Sequence, residues 1–353
     1  MHTIAFIQDL AVIMLAAGIV TVLFHLLRQP VVLGYIAAGV LIGPHTPPYT
    51  LVNDEQSIST VAELGLIFLL FALGLEFSLR HLRRVGATAV VAALAGIVTM
   101  LWLGYELGLA FGWSNMDALF LGAMLSISST TITIKAIDEL GLKKQAFAHI
   151  VFGVLIVEDV LAIAMIALLS GVAATGTVVP GEVLATLGGL TVFLVVSLVV
   201  GILAVPRLLD YVARFRRDEM LLVGVLGLLF GFCLLVTWLG YSVALGAFVI
   251  GVIVAEARSH ARIEHLIAPL RDMFSAVFFV AVGLQLDPRA LIDYAGPIAA
   301  ITAAVVVGKI LARCAGAFAA GQSGRVSLRV GMSLAQIGEF SFIIAALGAS
   351  LKV

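Results

Sequence analysis

Charged residues are scarce in this chain. Asp, Glu, Lys and Arg make up 12% of the 353 residues, which is about half of the share found in an average soluble domain. Hydrophobic residues make up 62%, and the mean hydropathy is +1.18. A soluble enzyme, a nucleic-acid-binding protein and a disordered chain all need more charge than this. The composition therefore excludes these classes, predicts no nucleic-acid partner, and predicts a protein that is surrounded by membrane lipid.

Cysteines and catalytic motifs are also scarce, which limits the reactions that the protein could catalyse. Only two cysteines are present, Cys233 and Cys314, and both lie in apolar runs without a His or Cys at metal-ligand spacing. This pattern is typical of small buried hydrophobic residues. No Ser/His/Asp constellation and no nucleotide-binding loop is visible in the sequence, and glycines within apolar helices are explained by close packing. A membrane enzyme is therefore the least supported function, and no cofactor is predicted.

Apolar runs bounded by Gly, Pro or charge predict twelve membrane segments. They lie near residues 4–27, 30–43, 58–79, 86–111, 116–137, 147–171, 183–212, 219–239, 241–256, 270–286, 294–319 and 326–350. Most reach the roughly 20 residues that a helix needs to cross the hydrocarbon core, where unpaired backbone is not tolerated. The predicted fold class is thus an all-α polytopic membrane protein, in which the second, ninth and tenth segments are short and therefore tilted, re-entrant or broken.

Lys and Arg are concentrated in alternate loops. Three Arg lie in 80–84 and four in 207–217, whereas the loops at 44–56 and 171–182 contain no Lys or Arg. By the positive-inside rule the basic loops are cytoplasmic, so we expect the N-terminus and Val353 to be outside. The first residues lack the basic start of a secretory signal and are interpreted as mature sequence. The predicted location is the plasma membrane, or the inner membrane of a bacterium.

Two stretches of the first half recur in the second. LGYIAAGVLIG at 33–43 matches LGAFVIGVIVA at 245–255, an offset of 212 residues, and GLEFSLRHL at 74–82 matches GLQLDPRAL at 283–291, an offset of 209. The matched segments are seven apart, and an odd separation reverses the direction of crossing. The pattern predicts an inverted repeat, typical of secondary transporters. The first repeat would span 1–182, a linker helix 183–218, and the second repeat 219–353.

Two adjacent acids lie deep in the sixth segment. Glu158 and Asp159 are about 11 residues, or roughly 16 Å, from its cytoplasmic end. A charge at this depth costs at least about 2.5 kcal/mol, so each acid needs a partner or a function. Adjacent helical positions point about 100° apart, so one carboxylate can meet a cation while the other faces water. Both are therefore candidate cation- and proton-binding residues.

Basic residues deep in the eleventh segment supply candidate partners. Lys309 is predicted to form an ion pair with Glu158 or Asp159, the alternative being a side chain that reaches the membrane surface. Arg313 follows one helical turn later. It is interpreted as an interfacial or structural residue that adds compensating charge.

Polar residues interrupt the fifth and twelfth segments, at SISSTTITIK (126–135) and SLAQIGEFSF (333–342). The hydroxyls could simply bond back to the preceding turn, but the matched interruptions favour two discontinuous helices that cross at the site and offer free carbonyls. The predicted cation ligands are Ser128, Ser129, Thr130 and Thr131. Glu339 would compensate helix N-termini or Lys309, and Lys135 is interpreted as a pathway or interface charge.

Five collinear motifs together resemble one family. VEDVLAI, SSTTITIKAIDELGL, SLAQIGEFSFII, PVVLGYIAAGVLIGP and FALGLEFSL are similar to the second family of monovalent cation:proton antiporters, in particular its Kef-type potassium-efflux branch. The resemblance covers essentially the whole chain. It implies that Asp159 is the ion-binding aspartate. Glu158 stands where sodium-type members carry Asp and glutathione-gated potassium members carry Gln.

The resemblance also implies an assembly. We expect a homodimer with a mobile core, at about 58–171 and 270–353, and a dimerisation domain formed by the remainder, working by elevator-like alternating access. The repeat mate of segment six would fall near position 367. A thirteenth helix is therefore expected beyond Val353, followed in the full protein by a cytosolic nucleotide-binding regulatory domain.

The leading prediction is a secondary antiporter that exchanges K⁺ or Na⁺ for H⁺. A cation channel or a ligand-gated K⁺ efflux system is the alternative, although a channel needs a continuous polar pore and the polar groups here lie at one depth. If cation entry breaks a Lys309–Glu158 pair, Lys309 releases a second proton and exchange is electrogenic. If that pair stays closed, exchange is one for one. Sodium-type relatives favour the first scheme.

Overall fold

Helices account for all the regular structure that is described. The computed structural model describes residues 2–27, 29–46, 52, 55–76, 86–175, 180–338 and 340–351. Within these ranges it contains fifteen α-helices and no β-strand, which confirms the predicted all-α class. The helices are α1 His2–Leu26, α2 Val31–Ile42, α3 Glu55–Glu76, α4 Ala87–Ala110, α5 Asn115–Ser126, α6 Thr130–Glu139, α7 Ala146–Thr175, α8 Pro180–Ala213, α9 Asp218–Trp238, α10 Val243–Ala255, α11 His260–Leu284, α12 Ala290–Asp293, α13 Ala295–Ala319, α14 Gly324–Ser333 and α15 Phe340–Leu351.

Many of these helices are suited to a bilayer. Among the described residues, eight helices are long and apolar enough to cross a membrane, namely α1, α3, α4, α7, α8, α9, α11 and α13. Three further apolar helices, α2, α10 and α15, are shorter. Because helices of this length do not reach across the whole hydrocarbon core, the number of crossings stays a prediction.

One predicted boundary lies far from the start of the observed helix. The tenth segment was expected to begin near residue 270, but α11 begins at His260 and continues through Pro269. Its first turns are amphipathic, with Ile263 and Ile267 buried while Glu264 is exposed. The helix therefore extends past the apolar run. The fifth and twelfth segments are each interrupted, as α5 with α6 and α14 with α15.

The chain divides into two compact units, and the boundary at Gly188/Gly189 falls within α8. The first unit is formed by residues 1–78 and 189–294. In this unit α2 packs on α11 and α3 packs on α10 through glycine pairs. A Cβ on Gly39 would lie 2.8 Å from Gly283 Cα, and one on Gly74 would lie 2.8 Å from Gly251 Cα. Only glycine permits such backbone approach.

The second unit comprises residues 79–188 and 295–353, and contains every candidate site residue. Two of its helices begin at serine caps. Ser114 Oγ accepts a hydrogen bond from Asp117 N at the start of α5, and Ser323 Oγ accepts one from Val326 N at the start of α14. Small residues on α4, including Ala92 and Ala93, are fully buried in a core shared with α7 and α13. Helices α7 and α13 carry the four charged candidate residues Glu158, Asp159, Lys309 and Arg313.

The expected core at about 58–171 and 270–353 does not coincide with either unit, because α3 and α11 lie in the first unit. The two units are defined by how compactly their residues pack and not by which part moves, so the predicted division into a mobile core and a dimerisation domain stays a prediction.

Candidate cation and proton site

Two interrupted helices meet at the site. Helix α5 ends at Ser126 and α6 begins at Thr130, while α14 ends at Ser333 and α15 begins at Phe340. The interruptions touch at Gly338, whose N–H donates to Ile127 O at 3.1 Å. A Cβ on Gly338 would lie 2.5 Å from Ser128 O. The glycine of the SLAQIGEFSF motif is therefore required by the close contact between the two segments.

Side chains also tie the two interruptions together. Ser128 Oγ donates to Leu334 O at 3.2 Å, and Thr133 Oγ1 donates to Ser333 O at 3.4 Å. Gln336 Nε2 donates to Ser129 O at 3.3 Å and also bonds Thr133 Oγ1. Since these bonds join segments about 200 residues apart, the two broken helices form one connected body.

Lys309 of α13 is fully buried and lies between the two interruptions. Its Nζ donates to Ile127 O at 2.7 Å, to Gln336 O at 2.7 Å and to Ser128 Oγ at 3.4 Å. An ammonium group has three N–H donors, and these three oxygens use all of them. The free carbonyls predicted at the helix breaks are present, and Lys309 is their partner.

Glu158 pairs with Arg313 in the structure, where the sequence had favoured Lys309. Both side chains are fully buried. Arg313 donates to Glu158 Oε1 from Nη2 at 2.6 Å and from Nε at 2.9 Å, and Ser128 N donates to Oε2 at 2.9 Å. Arg313 Nη2 also donates to Ser126 O at 3.0 Å and to Ser128 Oγ at 3.1 Å.

Of the two roles expected for Arg313, interfacial or structural, the buried pair with Glu158 fits the structural one and excludes the interfacial one. One helical turn beyond Lys309, its longer side chain reaches Glu158, while the Lys309 ammonium is engaged by the helix breaks. A buried carboxylate with a charged partner and a backbone N–H is fully compensated. Glu158 is thus held in place by hydrogen bonds on both of its carboxylate oxygens.

Asp159 has a different environment from its neighbour, because adjacent helical positions point about 100° apart. It is only partly buried, whereas Glu158 has no exposed surface. Thr130 Oγ1, at the first position of α6, lies 3.2 Å from each of the two Asp159 carboxylate oxygens. A carboxylate and a hydroxyl thus meet at the start of a helix that follows a break.

Of the remaining candidate residues, only Ser129 has a side chain in the described part of the structure. Ser129 lies in the interruption, and its Oγ accepts a hydrogen bond from Ile132 N at 3.3 Å. Thr131 and Lys135 lie within α6, but their side chains are outside the described part of the structure, as is the whole of Glu339. Gln336 joins the site without having been singled out from the sequence. It could have been predicted because it is a polar residue within the interrupted stretch 333–342.

Comparisons with known proteins agree with this architecture. Residues 11–353 match the family described as sodium/hydrogen exchanger, transmembrane. YbaL of Escherichia coli strain K12, named a putative cation/proton antiporter, is 37% identical over 96% of this chain and 62% of its own length. K(+) efflux antiporter 5 of Arabidopsis thaliana is 32% identical over 98% of this chain and 61% of its own length. The chain therefore spans less than two thirds of these relatives.

A solved structure has the same fold. The sodium proton antiporter MjNhaP1 from Methanocaldococcus jannaschii, determined at pH 8, matches with a TM-score of 0.70 at 17% identity. The match covers 100% of this chain and 88% of that chain. The resemblance to cation:proton antiporters predicted from five motifs is confirmed. With nearly its whole length matched, the chain belongs to the sodium/hydrogen exchanger family of multi-pass membrane proteins.

Proposed function

We propose that this chain is the membrane domain of a monovalent cation:proton antiporter, in which Asp159 exchanges H⁺ for K⁺ or Na⁺. The observation that carries the proposal is the contrast between two adjacent acids. Glu158 is buried and bonded on both oxygens, whereas Asp159 is partly exposed beside Thr130. Asp159 is the carboxylate positioned to bind either ion in turn, and competition for one site couples the two fluxes.

The surrounding oxygens suit a hard monovalent cation. Carboxylate, hydroxyl and backbone carbonyl oxygens coordinate such ions. Thr130 presents its hydroxyl beside Asp159, and Ser129 and Thr131 complete the ligand set proposed from the sequence. We assign Ser128 a supporting role, because its hydroxyl already accepts from Arg313 and Lys309 and donates to Leu334 O.

The charge arrangement favours one-for-one exchange. The described side chains of the site contribute two carboxylates, Glu158 and Asp159, and two cations, Lys309 and Arg313. Binding of either H⁺ or a monovalent cation at Asp159 adds one positive charge. A second proton would have to come from Lys309, but its three donors hold two carbonyls and a hydroxyl. The electrogenic scheme requires Lys309 to pair with Glu158, but the cation that pairs with Glu158 is Arg313.

Matched contacts support the inverted repeat. At an offset of 209, Gly112 and Gly321 both adopt positive φ, at 80° and 87°, and the two carbonyls bonded by Lys309, at Ile127 and Gln336, are equivalent. At an offset of 212, the bond from Gln29 N to Phe24 O recurs as the bond from Tyr241 N to Val236 O. Two related halves around a polar centre are the arrangement of transporters that alternate access.

We further propose an elevator-like movement in which the second unit is the mobile core. The bonds that join the two interruptions favour movement of the site as one body over separation of the helices. In this scheme α3 and α11 belong to the dimerisation part. On the same resemblance we propose a homodimer in the plasma or inner membrane, with an external N-terminus and a regulatory domain in the full protein.

A channel is less well supported. Its pore would have to pass through the crossing of the interruptions, where Gly338 lies in close contact with Ser128 and Gly338 N bonds Ile127 O. A continuous polar path is difficult to reconcile with this tight crossing.

Proteoliposomes that carry a pH-sensitive dye test the proposal. Addition of K⁺ or Na⁺ to pH-gradient-loaded vesicles should dissipate the gradient with wild-type protein. Asp159→Asn should abolish the response, because an amide cannot alternate between a proton and a cation. Asp293→Asn, at an exposed position of α12, is the matched control and should behave as wild type. Full exchange by Asp159→Asn, or no response of the wild type to any alkali cation, contradicts the proposal.

A further inference from the structure

Arg313 depends on a glycine of the neighbouring helix. A methyl group on Gly96 of α4 would lie 2.9 Å from Arg313 Cζ, 3.0 Å from Cγ and 3.1 Å from Nε. These distances are shorter than normal carbon–carbon and carbon–nitrogen contacts. The guanidinium and its side-chain stem therefore occupy the space that any larger residue at position 96 would fill.

The two helices have little freedom to move apart at this level. On one side of Arg313, a Cβ on Gly316 would lie 2.9 Å from Ala92 Cα, and on the other a Cβ on Gly308 would lie 2.9 Å from Met100 Sδ. These contacts bracket Gly96 on α4 and Arg313 on α13. Because the interior is closely packed, a group added at position 96 displaces Arg313 rather than the helix.

Displacement of Arg313 would reach the cation site. Its Nε and Nη2 are bonded to Glu158, and Nη2 also bonds Ser128 Oγ. Nη1 has no hydrogen-bond partner among the described residues. Hydrogen bonds therefore fix only part of the guanidinium, and its close packing against Gly96 fixes the rest. Glu158 precedes Asp159 in the chain, and Ser128 lies two residues before Thr130.

We propose that Gly96 is a positioning residue for cation binding. Its missing side chain lets Arg313 hold Glu158 and Ser128 where Asp159 and Thr130 form the site. This inference rests on the proposed function, since it assumes that Asp159 binds the cation. Gly96 touches no transported ion and acts through Arg313.

Cation affinity is the first readout. Gly96→Ala should raise the apparent KM for the transported cation about three- to tenfold, which is the effect of weakening one charge-assisted contact. Vmax should stay within about twofold, because the carboxylate that exchanges ions is intact. Gly227→Ala is the matched control, since Gly227 lies within α9 with nothing within 4 Å of an added Cβ, and its KM should be unchanged. An unchanged KM in Gly96→Ala, or a loss of Vmax alone, overturns the inference.

Thermal unfolding gives a second, independent test. Gly96→Ala should lower the apparent unfolding midpoint of the detergent-solubilised protein in the wild-type background. It should not lower it in Arg313→Ala, where the group that it displaces is gone. Equal decreases in both backgrounds would show that Gly96 does not act through Arg313. This arm needs no transport. A wild type without exchange contradicts the proposed function alone, whereas an active wild type with a normal Gly96→Ala variant contradicts only this inference.

Discussion

The two interrupted arms of the second unit are built alike and carry different chemistry. The first arm comprises α4 to α6, and the second comprises α13 to α15. Each has a long helix, a glycine with positive φ, a serine N-cap and a helix break. The first arm supplies the hydroxyls of Ser128 and Thr130, and the second supplies the buried cations Lys309 and Arg313.

The proposed inverted repeat allows the two arms to be compared position by position. At an offset of 209, position 104 of the first arm corresponds to position 313 of the second. Gly104 lets α4 approach α5, since a Cβ there would lie 2.5 Å from Gly122 Cα, whereas Arg313 extends to Glu158. Close helix packing in one arm is thus replaced by a charged side chain in the other.

Loss of Arg313 should have the largest effect. Arg313→Gln leaves Glu158 buried without its cation, and breaking one partner of a buried pair costs about 3 to 5 kcal/mol. We expect a strongly reduced unfolding midpoint and little exchange. The double variant Arg313→Gln/Glu158→Gln should recover part of the midpoint, because the buried side chain at position 158 then carries no unpaired charge. A double variant less stable than the single one would contradict the pairing.

Equivalent positions at the two breaks should respond differently. Gly338→Ala places a methyl 2.5 Å from Ser128 O, and such overpacking costs about 1 to 3 kcal/mol. Its first-arm equivalent is Ser129, where a small side chain is already accommodated. We expect Ser129→Ala to unfold close to wild type and Gly338→Ala to unfold at a lower temperature in detergent. Equal midpoints for the two variants would contradict the close crossing.

Loss of Lys309 should weaken the connection between the two arms, because its ammonium bonds a carbonyl of each break. Lys309→Gln retains an N–H₂ group but removes at least one bond to Ile127 O or Gln336 O, for a cost of about 1 to 2 kcal/mol. We expect a lower unfolding midpoint with exchange partly retained in the pH-dye assay. Arg313→Gln measured in parallel should lose more of both. Complete loss of exchange in a normally folded Lys309→Gln protein would instead make Lys309 part of the ion cycle.

Thr130 should have the smallest effect. Thr130→Val keeps the shape and removes the hydroxyl that lies 3.2 Å from each oxygen of Asp159. We expect the apparent KM for the cation to rise about tenfold or less, at little cost in stability. Thr130→Ser, which retains the hydroxyl, should bind as wild type. A Val variant with unchanged KM would remove Thr130 from the ligand set.

The sequence predicted the parts of the site whose signals are local. Depth in an apolar segment identified Glu158, Asp159 and Lys309, and polar stretches located both helix breaks. Which cation pairs with Glu158 was beyond local reasoning. It depends on the contact between α4 and α13, where Gly96 admits the Arg313 guanidinium, and on the carbonyls that engage Lys309. Such partners are chosen by packing between distant segments.

The packing of α3 and α11 shows the same limit. Apolar runs predicted most helices closely, but not that α3 and α11 lie in one compact unit with α2 and α10, and the division into a mobile core and a dimerisation domain stays a prediction. The close glycine contacts of Gly74 with Gly251 and of Gly39 with Gly283 hold α3 and α11 in that unit. The matched sequences identified these glycines as repeated features, but gave no sign of which pairs meet.

The number of protons exchanged per cation tests the central claim most directly. If Asp159 alone changes its ion while Glu158, Arg313 and Lys309 keep their charges, exchange is one for one. In proteoliposomes with defined cation and pH gradients, net flux should vanish when the inside-to-outside concentration ratios of the cation and of H⁺ are equal, and an imposed membrane potential should not change that balance point. A balance point that shifts with potential, as two protons per cation requires, would contradict the assignment of Arg313 and Lys309 as fixed charges.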